Sequence, residues 1–508
     1  MSLLIGLDLG TTTIKAILYD SKQGRVIDRA SQPTPVSHSR PHPDWIEHSP
    51  QALWEAVCHC LRQVAQGQPV SALAVSSFAE AGLPVDGQGQ PLYPLIAWYD
   101  RRTLPQMEWW EREFSILELH GITGQFPGPS FGANKWLWLR KHQPKRMARM
   151  ARWLSTPDYV LYRLTGTQAT DYTMASRTLL LDQRARTWSE EVLQRAGLPV
   201  EQLPPIFPSG TVIGSVTPQA ASETGLPVGM PCVLGGHDHL CGALAAGGWQ
   251  SGAVIDSTGT AEALLMVVPA FQTGQVFAGR SFACYAHVVP GQYIIKGGLK
   301  AAGVAIEWLA RQLCGQPGLP ADQLPYAELE SSAWQGYGKR AGPLWLPHLL
   351  GSGSPLDDSF SRGALVGLKS DHQPGDLFRG LLESLAFWMR HNLVEMGQLS
   401  GQQTGQVLLL GGTTRLKLLR QLKADVLNQA VLLPEIPEAS ATGAALLAGI
   451  GAGVFSGPQE AVASLHYNVQ VVQPNPECAA WYHELYDQAY MPLYGALRSI
   501  HQTLARLD

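Results

Sequence analysis

Charge is scarce in this 508-residue sequence: Asp, Glu, Lys and Arg make up 15% of it, and 41 acidic against 37 basic residues leave a formal net charge of -4. A balance that even leaves no electrostatic footprint for nucleic acid or for an anionic membrane surface, so neither is expected as a partner. Long apolar runs are missing too. The longest, Gly443 to Phe455, falls short of the roughly 20 residues a membrane-spanning helix needs. The N-terminus has no cationic stretch, and Asp8 interrupts its short apolar run, so no secretory leader is expected. Cysteine is limited to seven residues, an odd number that argues against a disulfide framework and for a reducing cytoplasm. Cys58-His59-Cys60 is spaced too tightly for a metal knuckle and finds no second pair; it reads as two buried thiols on an amphipathic helix. The 52 Gly and 36 Pro follow no period, which excludes collagen-like and low-complexity chains. Neither a Gly-x-x-x-x-Gly-Lys-[Ser/Thr] loop nor a strand followed by Gly-x-Gly-x-x-Gly is present, so P-loop and dinucleotide sites are disfavoured.

What is present is a rich supply of core. Hydrophobic residues make up 45%, with 15 Trp, 15 Tyr and 12 Phe, and at roughly 150 residues per domain the length allows two to four domains. Leu3 to Leu9 reads as a buried strand, Gly10-Thr11-Thr12-Thr13 as a turn and Ile14 to Asp20 as the returning strand. A proline-rich loop (Pro33 to Pro43) precedes a helical pattern from Pro50 to Ala65, and Leu73 to Ser77 is a short strand ending in Phe78-Ala79-Glu80. Alternation of strands and helices then continues to Gly248, which argues for an α/β architecture. A second strand-turn-strand follows about 250 residues after the first: Ala253 to Asp256, Ser257-Thr258-Gly259-Thr260, Ala261 to Val268. The echo suggests two related halves, residues 1–247 and 248–508, facing each other across a cleft. A third glycine-rich element, Gly411-Gly412-Thr413-Thr414, leads from a strand into a helix. The stretch from Thr442 to Ala448 is a small-residue helix able to pack closely. The tail from Asn475 to Asp508 reads as one or two amphipathic helices.

Turn amides, short hydroxyls and a carboxylate are what a phosphate site with a divalent cation requires. Asp8 with Gly10 and Thr11 to Thr13 meets that need, and Lys15 adds a positive charge; an ordinary hairpin is the competing reading. In Gly235-Gly236-His237-Asp238-His239 an apolar strand delivers an acid to a strand end, where it could take a proton from a hydroxyl. A metal site built on His237 and His239 would need a third ligand that the sequence does not offer. The tryptophans near Trp109-Trp110, Trp136 and Trp138 read as packing.

In these residues the chain resembles the FGGY carbohydrate kinase family of the sugar kinase/actin/chaperone ATPase superfamily. The ordered set runs through Gly6 to Thr12, Asp44 to Pro50, Trp98 to Thr103, Gly235 to Asp238, Ser257 to Thr260, Lys296-Gly297-Gly298 with Ala302-Gly303, and Gly411-Gly412-Thr413. The resemblance implies an α/β fold of two ribonuclease H-like (actin-like ATPase) domains with a cleft between them. It also implies a kinase that uses ATP and Mg²⁺. It makes Asp238 the catalytic base and Asp8 the metal-side acid. Thr11, Thr12, Thr13 and Lys15 become the first phosphate loop and Gly259 and Thr260 the second, while Gly303, Gly411, Gly412 and Thr413 line the nucleotide pocket. Glu80, Trp98, His237 and His239 join Asp238 around the acceptor. The acceptor implied is a small sugar, a ketopentose such as xylulose or ribulose ahead of gluconate, a deoxyhexulose or a glycerol- or erythritol-type polyol. Ala79 stands where glycerol kinases carry an Arg, so an Arg–Glu pair is expected to be absent. A homodimer enters only by analogy. The competing classes are an actin-like nucleotide-binding regulator, against which the retained Asp238 speaks, and a metal-dependent hydrolase.

Overall fold

The computed structural model describes residues 2–38, 42, 44–316, 318–339 and 342–507; the two terminal residues and, of the proline-rich loop, residues 39–41 and 43 lie outside them. The described chain runs β1 (Leu3–Leu9), β2 (Thr13–Asp20), β3 (Arg25–Pro33), α1 (Pro50–Ala65), β4 (Val70–Ser77), β5 (Val212–Ser215), β6 (Pro231–His237) and α2 (Asp238–Ala245) through its first half. The second half follows with β7 (Val254–Thr258), β8 (Glu262–Val268), β9 (Ala283–Ala286), β10 (Tyr293–Gly297), α3 (Ala302–Cys314), α4 (Pro374–Ser400), β11 (Val407–Leu410), α5 (Lys417–Leu427), β12 (Val431–Pro434), α6 (Ala439–Gly451) and β13 (Val469–Val472).

Two α/β domains result, each built on one mixed sheet. The first sheet has the order β3-β2-β1-β4-β6-β5. Its first three strands are antiparallel, β4 and β6 join β1 in parallel, and β5 returns antiparallel. The second sheet repeats this as β10-β8-β7-β11-β12-β13, with β9 added beyond β10. The echo between the two hairpins therefore extends to whole sheets with matching strand directions. β1 is apolar almost throughout because both faces of the sheet are covered. On one side lies α1, started by Ser49, whose hydroxyl accepts the Ala52 N–H at 3.3 Å, with Pro50 at the first helical position. Leu53, Trp54, Val57 and Leu61 form its buried stripe. Cys58 and Cys60 share it, their thiols pushed up to about 12 and about 11 by burial.

α2 and α6 lie between the two sheets, in a core that joins Leu4, Ile17 and Val233 of the first sheet to Ile255, Leu265 and Ile294 of the second. The close packing expected of the small-residue helix is present: a Cβ at Gly443 would come within 1.9 Å of the Cys241 carbonyl oxygen. No larger residue allows α6 and α2 to touch backbone to backbone. The aromatic residues Trp110, Trp136 and Trp138 are buried in a separate core of the first domain. The tail forms helices at Pro476–Leu485 and Met491–Leu507. Among the described residues no helix is long and apolar enough to cross a membrane.

The two hairpins differ in how their acids are treated. Asp256 of β7 is capped by Lys423 from α5, and the same ammonium reaches Glu262 Oε1 and Thr258 Oγ1, each at 3.2 Å, all of them buried. Asp8 of β1 makes no ion pair among the described residues; its cross-strand neighbour Lys15 is paired with Glu438 instead.

Candidate active site

Three segments of the first domain bring carboxylates to one end of its sheet. Asp8 sits near the end of β1, cross-strand from Lys15, and Ser76 at the end of β4 donates its hydroxyl to Asp8 Oδ1 at 2.7 Å. β6 ends in a bulge at Gly235-Gly236 that delivers Asp238 to the first position of α2. Gly236 has φ +145°, and a Cβ there would meet the Thr173 hydroxyl at 2.7 Å, so this bend requires glycine. Burial pushes the Asp8 carboxyl up to about 7, and the charge of Asp238 pushes it further. Asp238 is likewise pushed up to about 7 by burial, with Glu80 raising it and Lys296 and the His239 N–H (2.7 Å to Oδ1) lowering it. Carboxylate oxygens are the donors a hard divalent ion takes, but among the described residues no group of three or more His, Cys, Asp or Glu side chains is placed to hold a metal ion.

The surroundings of Asp238 are cationic and aromatic. His237 Nε2 stands 3.3 Å from Asp238 Oδ1, and its ring is stacked on that of His239 with centroids 5.3 Å apart. Burial holds His237 well below the usual imidazole range and His239 at about 4, with Lys296 lowering both; both rings are neutral at pH 7. His237 Nδ1 is buried without a partner among the described residues. Glu80 adopts a left-handed backbone, φ +68°, at the end of the turn after β4. Its carboxylate takes two N–H groups of Arg177, Nε at 2.7 Å, and Arg177 also donates to Gln125 at 2.8 Å and lies over Tyr285 of β9 at 5.4 Å. Glu80 thus has an arginine partner that comes from position 177, not from the preceding residue, Ala79. Trp98, 39% exposed, donates its indole N–H to Thr11 Oγ1 at 3.0 Å and so joins the acceptor side to the first turn. Lys15 is held by Glu438, 2.6 Å away, at the start of α6.

The glycine-rich loops meet on the second domain. Gly259, Thr260, Gly303, Tyr326, Gly412 and Thr413 line a cavity of about 550 Å³. The Val304 N–H donates to Thr260 O at 3.2 Å, and Thr413 Oγ1 to Thr258 O at 3.1 Å, so the three loops are tied to one another. A second cavity of about 440 Å³ contains Asp238, His239, Ser257, Gly411 and Ser440. Gly411 and Gly412 line one each, so the two cavities adjoin there, and the path runs from Asp238 of one domain to Tyr326 of the other.

Of the residues expected from the sequence, Gly259, Thr260, Gly303, Gly412 and Thr413 line the first of these cavities and Asp238, His239 and Gly411 the second. The motifs from Asp44 to Pro50 and from Trp98 to Thr103 have a different task in part. Arg102 makes a paired contact with Asp100, reaches Glu47 at 2.7 Å and lies over Trp45 at 4.3 Å, a buried knot that holds the Trp98 segment.

This arrangement coincides with known proteins over nearly the whole chain. Residues 3–245 match the N-terminal domain, and residues 257–452 the C-terminal domain, of the FGGY family of carbohydrate kinases. The L-fuculokinase of Escherichia coli (strain K12) is 30% identical, over 93% of this chain and 98% of the relative. The chain belongs to the FGGY carbohydrate kinases. The xylulose kinase of the same organism is 29% identical over 99% of both chains, and the glycerol kinase of Thermococcus gammatolerans 28% over 93% of both. The crystal structure of xylulose kinase from Rhodospirillum rubrum superposes with a TM-score of 0.88 at 29% identity, covering 98% of this chain and all of the other. This FGGY kinase is accordingly a phosphotransferase with an alcohol group as acceptor, on the actin-like fold of two α/β domains.

Sequence reading missed the residues that hold the kinase's acid in place. Asp171 Oδ1 accepts from the Thr173 N–H at 2.7 Å, from its hydroxyl and from Ser209, and Thr173 Oγ1 in turn accepts the His237 N–H at 2.8 Å. The chain Asp171–Thr173–His237 fixes the strand end next to Asp238, which makes Thr173 a positioning residue. Thr173→Val leaves the His237 N–H buried and unpaired, a cost of about 1–3 kcal/mol. The expected result is a fall in kcat larger than any change in KM, with Thr173→Ser restoring most of it. Equal kinetics for the Val variant and wild type would refute the role.

Proposed function

We propose that this FGGY kinase transfers the γ-phosphate of Mg-ATP to a hydroxyl of a small sugar, with Asp238 as general base. The observation that carries the reading is Asp238, within electrostatic reach of Asp8 and like it raised to about 7, on the wall of a cavity that adjoins the glycine-lined one at Gly411-Gly412. A carboxylate with a pKa near neutrality is suited to proton abstraction at pH 7. The acceptor O–H gives its proton to Asp238, its oxygen bonds to the γ-phosphorus, and the bond to the β-phosphate oxygen breaks to release ADP. Mg²⁺, for which Asp8 and Asp238 would be the carboxylate donors, supplies neutralisation of phosphate charge when bound. Thr11, Thr12, Thr13 and Lys15 serve as the first phosphate loop and Gly259 and Thr260 as the second. Gly303, Gly411, Gly412 and Thr413 line the nucleotide pocket. Glu80, Trp98, His237 and His239 surround the acceptor. The division of labour falls near Gly247-Gly248, acceptor side before it and nucleotide side after it.

Similarity to two xylulose kinases over 99% of the chain favours a ketopentose such as xylulose. An L-fuculokinase and a glycerol kinase at comparable identity keep the acceptor a proposal. The test is coupled ADP release with Mg-ATP against C3 to C6 ketoses, polyols and aldonates. One ketopentose raising turnover far above the sugar-free rate is the expected result. A flat response across the panel would reject the sugar-kinase assignment as drawn.

A further inference from the structure

Among the described residues, the acceptor end of the cleft contains a cation, Lys296, that makes no hydrogen bond or ion pair to a protein group. Lys296 lies in β10, cross-strand from Leu265 of β8 and Ala283 of β9. Cross-strand partners share a face of the sheet, and Ile294, two residues before, shares it too. Leu265 and Ile294 belong to the core that joins the two domains, and Leu265 lines the cavity that holds Asp238 and His239. Lys296 therefore leaves the second sheet on the side turned towards the first domain, beyond the core. It is half-buried there. The titratable groups facing it are Arg177, Glu80, Asp238, His237 and His239. Glu80 is already engaged by two N–H groups of Arg177, and Asp238 by the His239 N–H. Both histidines are neutral, so neither repels the ammonium strongly. Among the described residues no hydrogen bond or ion pair is made by the Lys296 ammonium.

An ammonium carries three donors and no acceptor, so a half-buried one facing a substrate cleft calls for an oxygen that only accepts. A hydroxyl can accept too, but its own proton then needs one of the few acceptor atoms left beside the donors of Arg177 and Lys296, Glu80 Oε1 and Asp238 Oδ1 being taken. A carbonyl or carboxylate oxygen has no proton to place. We infer that Lys296 is a specificity-determining residue that receives the oxidised end of the acceptor, so that this kinase prefers sugars bearing a C=O group, a ketose or an aldonate, over polyols of the same carbon skeleton. The inference rests on the kinase reading above and narrows it: the glycerol- and erythritol-type acceptors lose their place.

The experiment measures kcat/KM of the full-length enzyme with Mg-ATP for matched five- and six-carbon sets of ketose, aldonate and polyol, in wild type, Lys296→Met and Lys296→Arg. In wild type the best oxidised sugar exceeds its polyol by at least about 100-fold, the scale on which a site built for a polar group rejects an analogue lacking it. Lys296→Met, which keeps the apolar stem, brings that ratio to within about fivefold, and Lys296→Arg recovers part of it. Preference for the aldonate assigns the oxygen to a carboxylate, and preference for the ketose assigns it to a carbonyl; either supports the proposal. A wild-type preference for the polyol overturns it. So does an unchanged ratio in Lys296→Met, even if both rates fall, because that pattern belongs to a lysine that only tunes Asp238. Absence of turnover with every sugar would instead overturn the kinase reading, and the inference with it. Should Lys296→Met fail to fold, as judged by its melting curve, the ratio in Lys296→Arg decides, since a guanidinium must still favour the oxidised sugar.

Discussion

Asp238→Asn lowers sugar-dependent turnover by about 10²–10⁴-fold, the contribution typical of a positioned general base, while nucleotide binding persists. The asparagine amide fills nearly the same space and can still accept the His239 N–H that reaches Oδ1 at 2.7 Å. What it cannot do is take up the proton of the acceptor hydroxyl. The nucleotide side is preserved because its cavity is lined from the other domain, by Gly259, Gly303, Gly412 and their neighbours. The same residue sets the pH dependence. Burial, aided by the charge of Glu80, pushes Asp238 up to about 7, and only the carboxylate form accepts a proton. The kcat/KM of wild type for the acceptor therefore falls as pH is lowered through about 7, and a cation bound beside Asp238 moves that limb to lower pH. Steady-state kinetics of both proteins between pH 5.5 and 8.5, with nucleotide affinity measured by direct titration, check both statements. Turnover of the Asn variant within twofold of wild type would remove Asp238 from the mechanism.

Local patterns carried most of this site. The β1–β2 turn, Gly235 to His239 and the loop from Gly411 to Thr413 are each written in a few consecutive residues, and each stands where strand periodicity and glycine content put it. Even the relation between the two sheets was visible, as an acid followed by Gly-Thr in two hairpins. What stayed hidden depends on pairs remote in sequence. Glu80 and Arg177 are 97 positions apart, so nothing in the segment around Ala79 announces the pairing. Lys15 reads as a free charge until Glu438, 423 positions away, is seen to hold it. Lys296 appeared only as part of a Lys-Gly-Gly motif, because a strand residue's face is fixed by its cross-strand partners, which the segment alone does not reveal. Asp171 and Thr173 carry no motif at all, and their role follows from a hydrogen bond to the backbone of His237.

The second large effect lies away from the chemistry. Lys423→Met is expected to destabilise the second domain by about 3–5 kcal/mol, because it removes one partner of a buried charge cluster and leaves the others uncompensated. Lys423 is buried against Asp256 and Glu262, and Thr258 completes the group by donating its hydroxyl to Asp256 Oδ1 at 2.6 Å. Burial, opposed by Lys423 and aided by the charge of Asp256, leaves the Glu262 carboxyl raised to about 7. Without the ammonium, two carboxylates repel each other in a dry interior, and protonation becomes the way to relieve them. The folded-state pKa of Glu262, already raised by burial, then stands still further above its unfolded value, so the native state binds more protons and its stability falls as pH rises through that range. The deficit of the variant is accordingly greatest near pH 8 and narrows towards pH 6, as measured by equilibrium denaturation. Adding Asp256→Asn and Glu262→Gln to Lys423→Met recovers part of the loss, which no explanation by lost packing predicts. Nucleotide affinity drops with it, because the Thr258 carbonyl takes the Thr413 hydroxyl at 3.1 Å and Gly411 packs against the same residue. A variant that unfolds within about 1 kcal/mol of wild type at every pH would show that the cluster does not anchor the nucleotide loops. With the loss found, the two hairpins treat their acids differently: Lys423 seals Asp256 of the second, whereas Asp8 of the first takes the Ser76 hydroxyl and faces the charge of Asp238.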